Sequence, residues 1–343
     1  MLTIYGKAHS RHHGVELKDG RLSKSFESPR RAETVLQRVC ATNLGDVVPP
    51  HSYDTSHYTR AHSDRYVDFL ATAWAEWKAT GRTGEALPLV WPVRDLKAAR
   101  LPNFVDGKLG FFSMDAGAPI GEHTWEAVAE SANVALTGID HIHNKAHAAF
   151  ALCRPPGHHA GREYAGGYCY LNNAAIAAER ALANGARRVA IVDVDFHHGN
   201  GTQDIFYARN DVLFASLHGD PNDSYPYFAG YADETGEGDG HGYNLNLPLP
   251  RGTAWAEYSA ALACVVASVR RFAADVLIVS LGVDTFEDDP ISHFRLKTDD
   301  YLSMGEMLAS MALPTLFVME GGYLVDAIGA NAVNVLQGFE GAR

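Results

Sequence analysis

The later two-thirds of the chain alternates short runs of apolar residues with longer segments whose apolar residues recur every three or four positions. The periodic segments predict helices over residues 173–183, 201–207, 255–273 and 327–336, and the runs predict strands over residues 148–152, 188–194, 212–217, 276–281 and 315–319. Each strand is apolar at successive positions, which is typical of strands that helices cover on both faces. The pattern therefore predicts an α/β domain built on a parallel sheet.

The earlier part of the chain is mostly helical in pattern, with helices predicted over residues 31–40, 59–79 and 124–142. Between them, residues 81–119 have no sustained period and contain four prolines, which interrupt any helix or strand drawn there. Such a long loop in a compact domain is uncommon and usually functional. Its aromatic residues indicate either a surface for a partner or a loop packed on its own domain: Trp91, Phe104, Phe111 and Phe112.

Composition narrows the class of protein. The 343 residues are 46% hydrophobic, which is ordinary for a globular protein, and we expect one domain over residues 1–343. Four scattered cysteines without a CxxC pair favour a reducing compartment, and no signal-like or membrane-spanning stretch stands out, so we expect a cytoplasmic protein. The formal net charge of −12 argues against nucleic acid as a partner and favours cations.

Polar residues follow the predicted strands where a parallel sheet binds its ligands, outside the carboxyl ends. Asp193, Asp195 and His197 occupy alternate positions at the end of strand 188–194, and Asp284 follows strand 276–281. Asp195 and His197 project from one face of an extended chain. With Asp284 they form a three-ligand set with an open position, which describes a catalytic metal site. Zn²⁺ suits this set, and Fe²⁺, Mn²⁺ or Co²⁺ are alternatives.

Two further strand ends carry candidate chemistry. Strand 148–152 is followed by two prolines and a glycine, a stiff turn that aims His158 and His159 and suits them to general acid and base work. Strand 315–319 is followed by Glu320, two glycines and Tyr323, and the glycines would let the phenol approach a substrate oxygen closely.

Together these motifs resemble the zinc-dependent histone deacetylase family, and within it the bacterial acetylpolyamine amidohydrolases. The resemblance covers nearly the whole chain and rests on RPPGHHA, GGYCYLNNAAIAA, DVDFHHGNGTQDIFY, SLHGDP, SLGVDTFEDDP and MEGGY. It implies an arginase–deacetylase fold, in which helices flank a central, mostly parallel sheet of eight strands.

The resemblance also implies roles for the strand-end residues. Asp195, His197 and Asp284 would hold one Zn²⁺ per chain. His159 would act first as the general base toward the attacking water and then as the acid toward the leaving amine. Its electrostatic partner would be His158, oriented by Asp193, while Tyr323 would donate a hydrogen bond to the carbonyl oxygen and steady the oxyanion. His198 points the other way along the chain and is assigned a structural role.

The same resemblance implies structural K⁺ sites, which would be formed largely by backbone oxygens. One would be formed by Asp193, Asp195, His197, Ser216 and Leu217. A second would be formed by Phe206, Arg209, Val212 and Tyr243.

The expected substrate is a small cationic acetylated amine, of the acetylputrescine or acetylcadaverine type. Tyr168, Tyr225 and Gly167 would line its tunnel, and the distal ammonium would be held by Asp106, Asp115 or Glu16. Residues 81–119 would form a homodimer contact that walls in the tunnel. The alternative function is a general lysine or protein deacetylase with the same chemistry.

Two departures from the family pattern affect these expectations. Asn200 stands where some members have Asp, so the partner of His159 is polar rather than charged. An acidic residue expected near Gly117 is missing, although Asp115 lies two positions earlier.

Two rival classes fit the sequence less well. An arginase-type site with two Mn²⁺ ions needs a carboxylate at the position of Gly282. A non-enzymatic binding protein on the same fold would not need both His159 and Tyr323.

Overall fold

The computed structural model describes residues 1–18, 20–93 and 100–342, and it is built on one eight-stranded sheet. All seven strand pairings in this sheet are parallel, in the order β4-β1-β5-β10-β9-β6-β7-β8. Its strands are β1 Leu2–Ile4, β4 Val47–Val48, β5 Ala148–Ala151, β6 Val189–Asp193, β7 Val212–Gly219, β8 Asn244–Leu249, β9 Val276–Leu281 and β10 Thr315–Met319. A separate antiparallel hairpin joins β2 Val15–Lys18 to β3 Arg21–Lys24. The predicted parallel sheet of an arginase–deacetylase fold is confirmed.

Helices cover both faces of the sheet. The described helices are α1 Pro29–Ala41, α2 Asp64–Ala79, α3 Val105–Phe111, α4 Thr124–His143, α5 Asn173–Ala183, α6 Asn200–Phe206, α7 Trp255–Phe272, α8 Asp300–Ala309 and α9 Val325–Gly341. Along β10, Leu316 and Val318 join the core beneath α4 and α5, while Phe317 and Met319 join the core beneath α8 and α9. This alternation explains why the strand is apolar at every position.

The four strands that carry the polar motifs are neighbours in the middle of the sheet, in the order β5, β10, β9 and β6. Because they run parallel, their carboxyl ends lie at the same edge. The segments that follow these strands therefore converge, although they are far apart in the sequence.

Several elements differ from the sequence expectation. Helix α2 begins at Asp64, after Ser63 accepts a hydrogen bond from the Tyr66 amide, whereas the expected helix began at residue 59. Strands β1 and β4 are three and two residues long, too short for a period to show. Edge strand β8, which the sequence analysis did not predict, buries Asn244 and Asn246 and leaves Leu245 and Leu247 half-buried, so its leucines form no buried run.

The segment over residues 81–119 is more ordered than its sequence predicts. It contains α3, although that helix includes Gly107 and Gly110, residues that weaken helices. A Cβ on Gly110 would lie 1.7 Å from the Val90 carbonyl oxygen, so this glycine allows the two backbones to touch. Phe112 is fully buried, whereas Trp91 and Phe104 are exposed. Part of the segment thus packs on its own domain, and residues 94–99 lie outside the described structure.

No helix in the described ranges combines the length and the apolar character needed to cross a membrane.

Candidate active site

Asp195 and His197 leave the end of β6 and meet Asp284, which follows β9. Their ligand atoms all lie within 4.8 Å of one another, and all three side chains are buried. The Nδ1 atom of His197 lies 3.0 Å from Asp284 Oδ2 and 3.3 Å from Asp195 Oδ1. The sheet therefore brings together the three residues that the sequence predicts as metal ligands.

Backbone amides and two glycines fix these carboxylates. The Gly321 amide donates to Asp195 Oδ2 at 2.7 Å, and the Phe196 amide donates to Asp284 Oδ1 at 2.7 Å. A Cβ on Gly282 would lie 2.0 Å from Asp195 Oδ2. Gly282, which has no carboxylate of its own, therefore leaves room for the Asp195 carboxylate. This close approach leaves no space for the second carboxylate of a binuclear site.

The donor set fits a divalent cation. Burial, together with the neighbouring carboxylate of Asp195, raises the pKa of Asp284 to about 7. Two buried carboxylates this close are costly to keep ionised unless a cation sits between them. Two carboxylates and one imidazole are ligands that Zn²⁺ accepts.

His158 is held by Asp193, the last residue of β6. The Nδ1 atom of His158 lies 3.0 Å from Asp193 Oδ2. Burial alone would lower the pKa of His158, but the carboxylates of Asp195 and Asp193 outweigh burial and raise it to about 10. The two carboxylates therefore favour the protonated form of His158.

The surroundings of His159 lower its pKa, whereas those of His158 raise the pKa of that residue. Burial, and then the neighbouring His158, lower the pKa of His159 well below its ordinary value, so its ring is neutral. Its Nδ1 atom lies 2.7 Å from Asn200 Oδ1. Since an amide oxygen only accepts, the proton of His159 is on Nδ1 and its Nε2 is free to take another.

Tyr323 lies in the segment that follows β10, close to the metal set and the two histidines. The Asp289 carboxylate accepts a hydrogen bond of 2.7 Å from the Tyr323 amide, and the Arg31 guanidinium lies 4.7 Å from the centre of the phenol ring. Burial raises the pKa of Tyr323 well above its ordinary value. The phenol therefore keeps its proton and serves as a hydrogen-bond donor.

A cavity of about 360 Å³ joins these groups. Its lining consists of Glu16, Leu17, Asp115, Ala116, Gly117, His159, Gly167, Tyr168, His197, Tyr225, Ile291 and Tyr323. The structure thus brings together the predicted base, one predicted ligand, the predicted oxyanion donor and the predicted tunnel residues. Sequence reasoning missed Leu17 and Ile291, because a single apolar residue in a hairpin or a loop gives no signal.

Gly167 is required where the tunnel meets the base. Its φ is +50°, in the left-handed region, and a Cβ there would lie 2.5 Å from His159 Cδ2 and 2.8 Å from the Tyr225 hydroxyl oxygen. The Tyr225 ring stands edge-on to His159, with 5.0 Å between ring centres. Tyr168 packs on Tyr323 with 5.6 Å between ring centres.

Two of the three predicted acidic residues reach the cavity. Glu16, on β2, accepts a hydrogen bond from the Tyr168 hydroxyl, and Asp115 accepts one of 2.6 Å from the Tyr225 hydroxyl. Asp106 does not line the cavity of its own chain. It lies on α3 and pairs through both oxygens with Arg82, which neutralises it. The expectation that Asp106 belongs to the rim therefore stays a prediction that depends on the proposed homodimer.

His198 does not line the cavity, and neither do the predicted potassium residues other than His197. His198 Nε2 is 3.1 Å from Asn246 Oδ1, in a buried polar network, as expected for a structural residue. Asp193 and Ser216 are register partners on β6 and β7, directly behind the metal set. At the second predicted site, the Arg209 amide donates to the Phe206 carbonyl at 2.9 Å. The Arg209 side chain is paired with Glu179 and Asp211.

A buried ion cluster that the sequence analysis missed supports the site from behind. Glu27 accepts hydrogen bonds from Arg31 at 2.9 Å and from Arg154 at 2.7 Å. Arg31 also donates to the Gly322 carbonyl at 2.6 Å, one residue before Tyr323. The spacing of Glu27 and Arg31, four residues apart, was the available signal.

Comparisons with known proteins point to one family. A model of the histone deacetylase domain matches residues 25–339. Acetylpolyamine amidohydrolase 2 of Pseudomonas aeruginosa is 57% identical over 344 residues, which cover 100% of both chains. Acetylpolyamine amidohydrolase of Mycoplana ramosa is 48% identical over 342 residues, 99% of this chain and 100% of that one.

The same relationship appears among solved structures. The crystal structure of acetylpolyamine aminohydrolase from Burkholderia pseudomallei matches with a TM-score of 0.95 at 41% identity, covering 100% of this chain and 99% of that chain. The chain belongs to the histone deacetylase family. It is a hydrolase of the deacetylase type.

Proposed function

We propose that this deacetylase removes acetyl groups from small acetylated diamines or polyamines. The observation that carries the proposal is the lining of one cavity by the groups that act on an acetyl carbonyl and by two carboxylates, Glu16 and Asp115. No lysine or arginine is among the described residues that line it. A cationic chain beyond the amide therefore meets negative charge and no positive charge. The names of the similar proteins support the same substrate class.

Zinc is the proposed metal, held by Asp195, His197 and Asp284, with Fe²⁺, Co²⁺ or Mn²⁺ as substitutes. A bound Zn²⁺ polarises a carbonyl and lowers the pKa of water to about 7. We also propose K⁺ as a structural ion, through the backbone of β6 and β7 next to Asp193 and Ser216, because these two residues are register partners two positions before the proposed ligand Asp195.

The protein's own groups supply the proton transfers. Neutral His159 takes a proton from the attacking water at Nε2 and later returns it to the departing amine nitrogen. The imidazolium of His158 favours the negative charge that develops beside it. The Tyr323 hydroxyl donates to the carbonyl oxygen as it becomes an oxyanion, an interaction worth about 3 kcal/mol.

A comparison of matched amides tests the substrate class. N-Acetylputrescine should show a kcat/KM about threefold to tenfold above that of a neutral acetamide of equal chain length, since a contact between the ammonium and a carboxylate at the cavity rim contributes about 1 kcal/mol. Replacing Glu16 with Gln or Asp115 with Asn should narrow this ratio, and added salt should narrow it too. Acetyl-lysine peptides that prove clearly better substrates would replace the proposal with a general protein deacetylase.

We further propose that residues 81–119 form a homodimer contact. The segment exposes a set of large apolar side chains that its own domain leaves uncovered: Leu89, Val90, Trp91, Val93 and Phe104. Leu89→Asp should shift the protein to monomer in analytical ultracentrifugation at micromolar concentration. Val47→Asp, on edge strand β4, is the matched control and should leave the dimer intact. A wild-type chain that sediments only as a monomer contradicts the proposal.

A further inference from the structure

Glu320 is a buried carboxylate that the proposed reaction does not use. It follows β10 directly, three residues before Tyr323, and its side chain is fully buried. Its backbone is fixed to the sheet, since the Glu320 amide donates to the Leu281 carbonyl at 2.9 Å and Arg31 donates to the Glu320 carbonyl. Burying a carboxylate is costly, so its presence behind the site calls for a reason.

The contacts of this carboxylate lead to the turn that carries the two histidines. Glu320 Oε2 accepts a hydrogen bond of 2.6 Å from the Gly157 amide and one of 3.2 Å from the His158 amide. Glu320 Oε1 has no hydrogen-bond partner among the described residues. One oxygen of Glu320 therefore binds two consecutive backbone amides at the start of the histidine pair.

The contact with Glu320 is the one that holds the backbone N–H groups of this turn, whose other contacts use its carbonyl groups and its side chains. The turn lies between β5 and α5, and Pro155 and Pro156 have no N–H to donate. Its carbonyl groups are held elsewhere: Ser131 donates to the Pro155 carbonyl at 2.8 Å, and the Gly201 amide donates to the His158 carbonyl at 3.0 Å. Glu320 is the acceptor that satisfies the first two N–H groups after the prolines.

The contact also joins two halves of the site. His159 belongs to the turn after β5, whereas Tyr323 belongs to the segment after β10, and both line the same cavity. Glu320 lies on the Tyr323 segment and holds the turn that bears the histidines. The Glu320 side chain is therefore a direct link between the segment that bears the base and the segment that bears the oxyanion donor.

We propose that Glu320 is a positioning residue, whose Oε2 fixes the backbone of Gly157 and His158 so that His159 stays aligned with Tyr323 and the metal ligands. The inference rests on the proposed role of His159 in deacetylation, but not on the identity of the amine. Burial raises the pKa of Glu320 to about 7. A neutral carboxylic acid or an amide oxygen also accepts two hydrogen bonds from N–H groups. The role therefore requires a side chain long enough to contact the two amides, and it does not require a negative charge.

Two conservative variants of the zinc-loaded enzyme separate the effect of side-chain length from the effect of side-chain charge. Glu320→Gln keeps the length of the side chain and loses its charge. Its kcat should remain within about threefold of wild type, and the pH profile of kcat should not shift. Glu320→Asp keeps the charge but is one methylene shorter, about 1.5 Å. Its kcat should fall about tenfold to a hundredfold, the cost of a displaced catalytic group, while KM changes less than about threefold. Glu306→Asp, on the exposed face of α8, is the matched control and should match wild type.

Only this pattern supports the proposal. Equal activity of the Gln and Asp variants, or a larger loss in Gln than in Asp, would overturn it. Zinc content should stay at one ion per chain in both variants. Loss of zinc in parallel with loss of kcat would also overturn the proposal, because a positioning residue acts on the histidine turn and not on the ligands. If wild type hydrolyses neither N-acetylputrescine nor an acetyl-lysine peptide, the proposed function fails instead, which is a distinct result.

Discussion

Replacing Gly167 with Ala should disturb the base and the tunnel wall together. The glycine has a φ of +50°, and a new Cβ would lie 2.5 Å from His159 Cδ2. The left-handed conformation costs an alanine about 1–2 kcal/mol. Forcing a methyl group into a packed site adds about 1–3 kcal/mol. We therefore expect about 2–5 kcal/mol less stability, and at least a tenfold fall in kcat/KM because the His159 ring must move.

Two other glycines separate these contributions. Gly81 has a φ of +82°, and a Cβ added there would meet no atom within 4 Å, so Gly81→Ala should lose only the conformational part, about 1–2 kcal/mol. Gly84 has open space and an ordinary φ, so Gly84→Ala should be neutral or slightly stabilising. Neither glycine lines the cavity of its own chain, and the two variants serve as controls for stability.

Urea unfolding and steady-state kinetics on the three variants measure both effects. If Gly167→Ala costs no more stability than Gly81→Ala and keeps wild-type kcat/KM, then the close approach of Gly167 to His159 has no functional consequence and the reasoning fails.

The remaining predictions concern the oxyanion donor, the metal set and the buried ion cluster. Tyr323→Phe should lower kcat by about 10²–10³ with little change in KM; a variant with near-normal kcat would remove Tyr323 from this role. Asp284→Asn should abolish zinc binding and activity together, and zinc-depleted wild type that retains full activity would contradict a catalytic metal. The charges of Arg154 and Arg31 outweigh burial and lower the pKa of Glu27 below its ordinary 4.5, so the stability that Glu27 contributes is present above pH 4.5 and is lost as pH falls through the lowered value. Glu27→Gln should therefore be about 3–5 kcal/mol less stable at pH 7, and this difference should shrink below pH 4.5 in urea titrations; a difference independent of pH would refute the assignment.

The sequence predicts the central strands of the sheet better than the short strands near its edge. Strands β9 and β10 and helix α5 have the predicted bounds, because a buried parallel strand must be apolar on both faces and leaves a continuous run. The short edge strands β1 and β4 leave no such run. Helix α8 was missed although Tyr301, Met304 and Leu308 are buried at helical spacing.

The candidate site shows the same division. Asp195, His197 and Asp284 could be placed together because they end strands of one sheet, and strand ends of a parallel sheet share an edge. Asp106 could not be placed, because its position depends on the path of residues 81–119 and on pairing with Arg82. The role of Glu320 also depends on a contact across 163 residues of sequence, which no local pattern shows.

The division between central strands and surrounding loops has a consequence for hydrogen exchange. The groups that act on the acetyl carbonyl follow β5, β6, β9 and β10, which have strand neighbours on both sides and helices on both faces. Their amides should exchange only through near-global opening. Glu16, Asp115 and Tyr225 lie on a hairpin and on loops, whose amides should exchange through local opening. The walls that select a substrate can thus fluctuate, and accept substitutions, while the catalytic groups keep their positions.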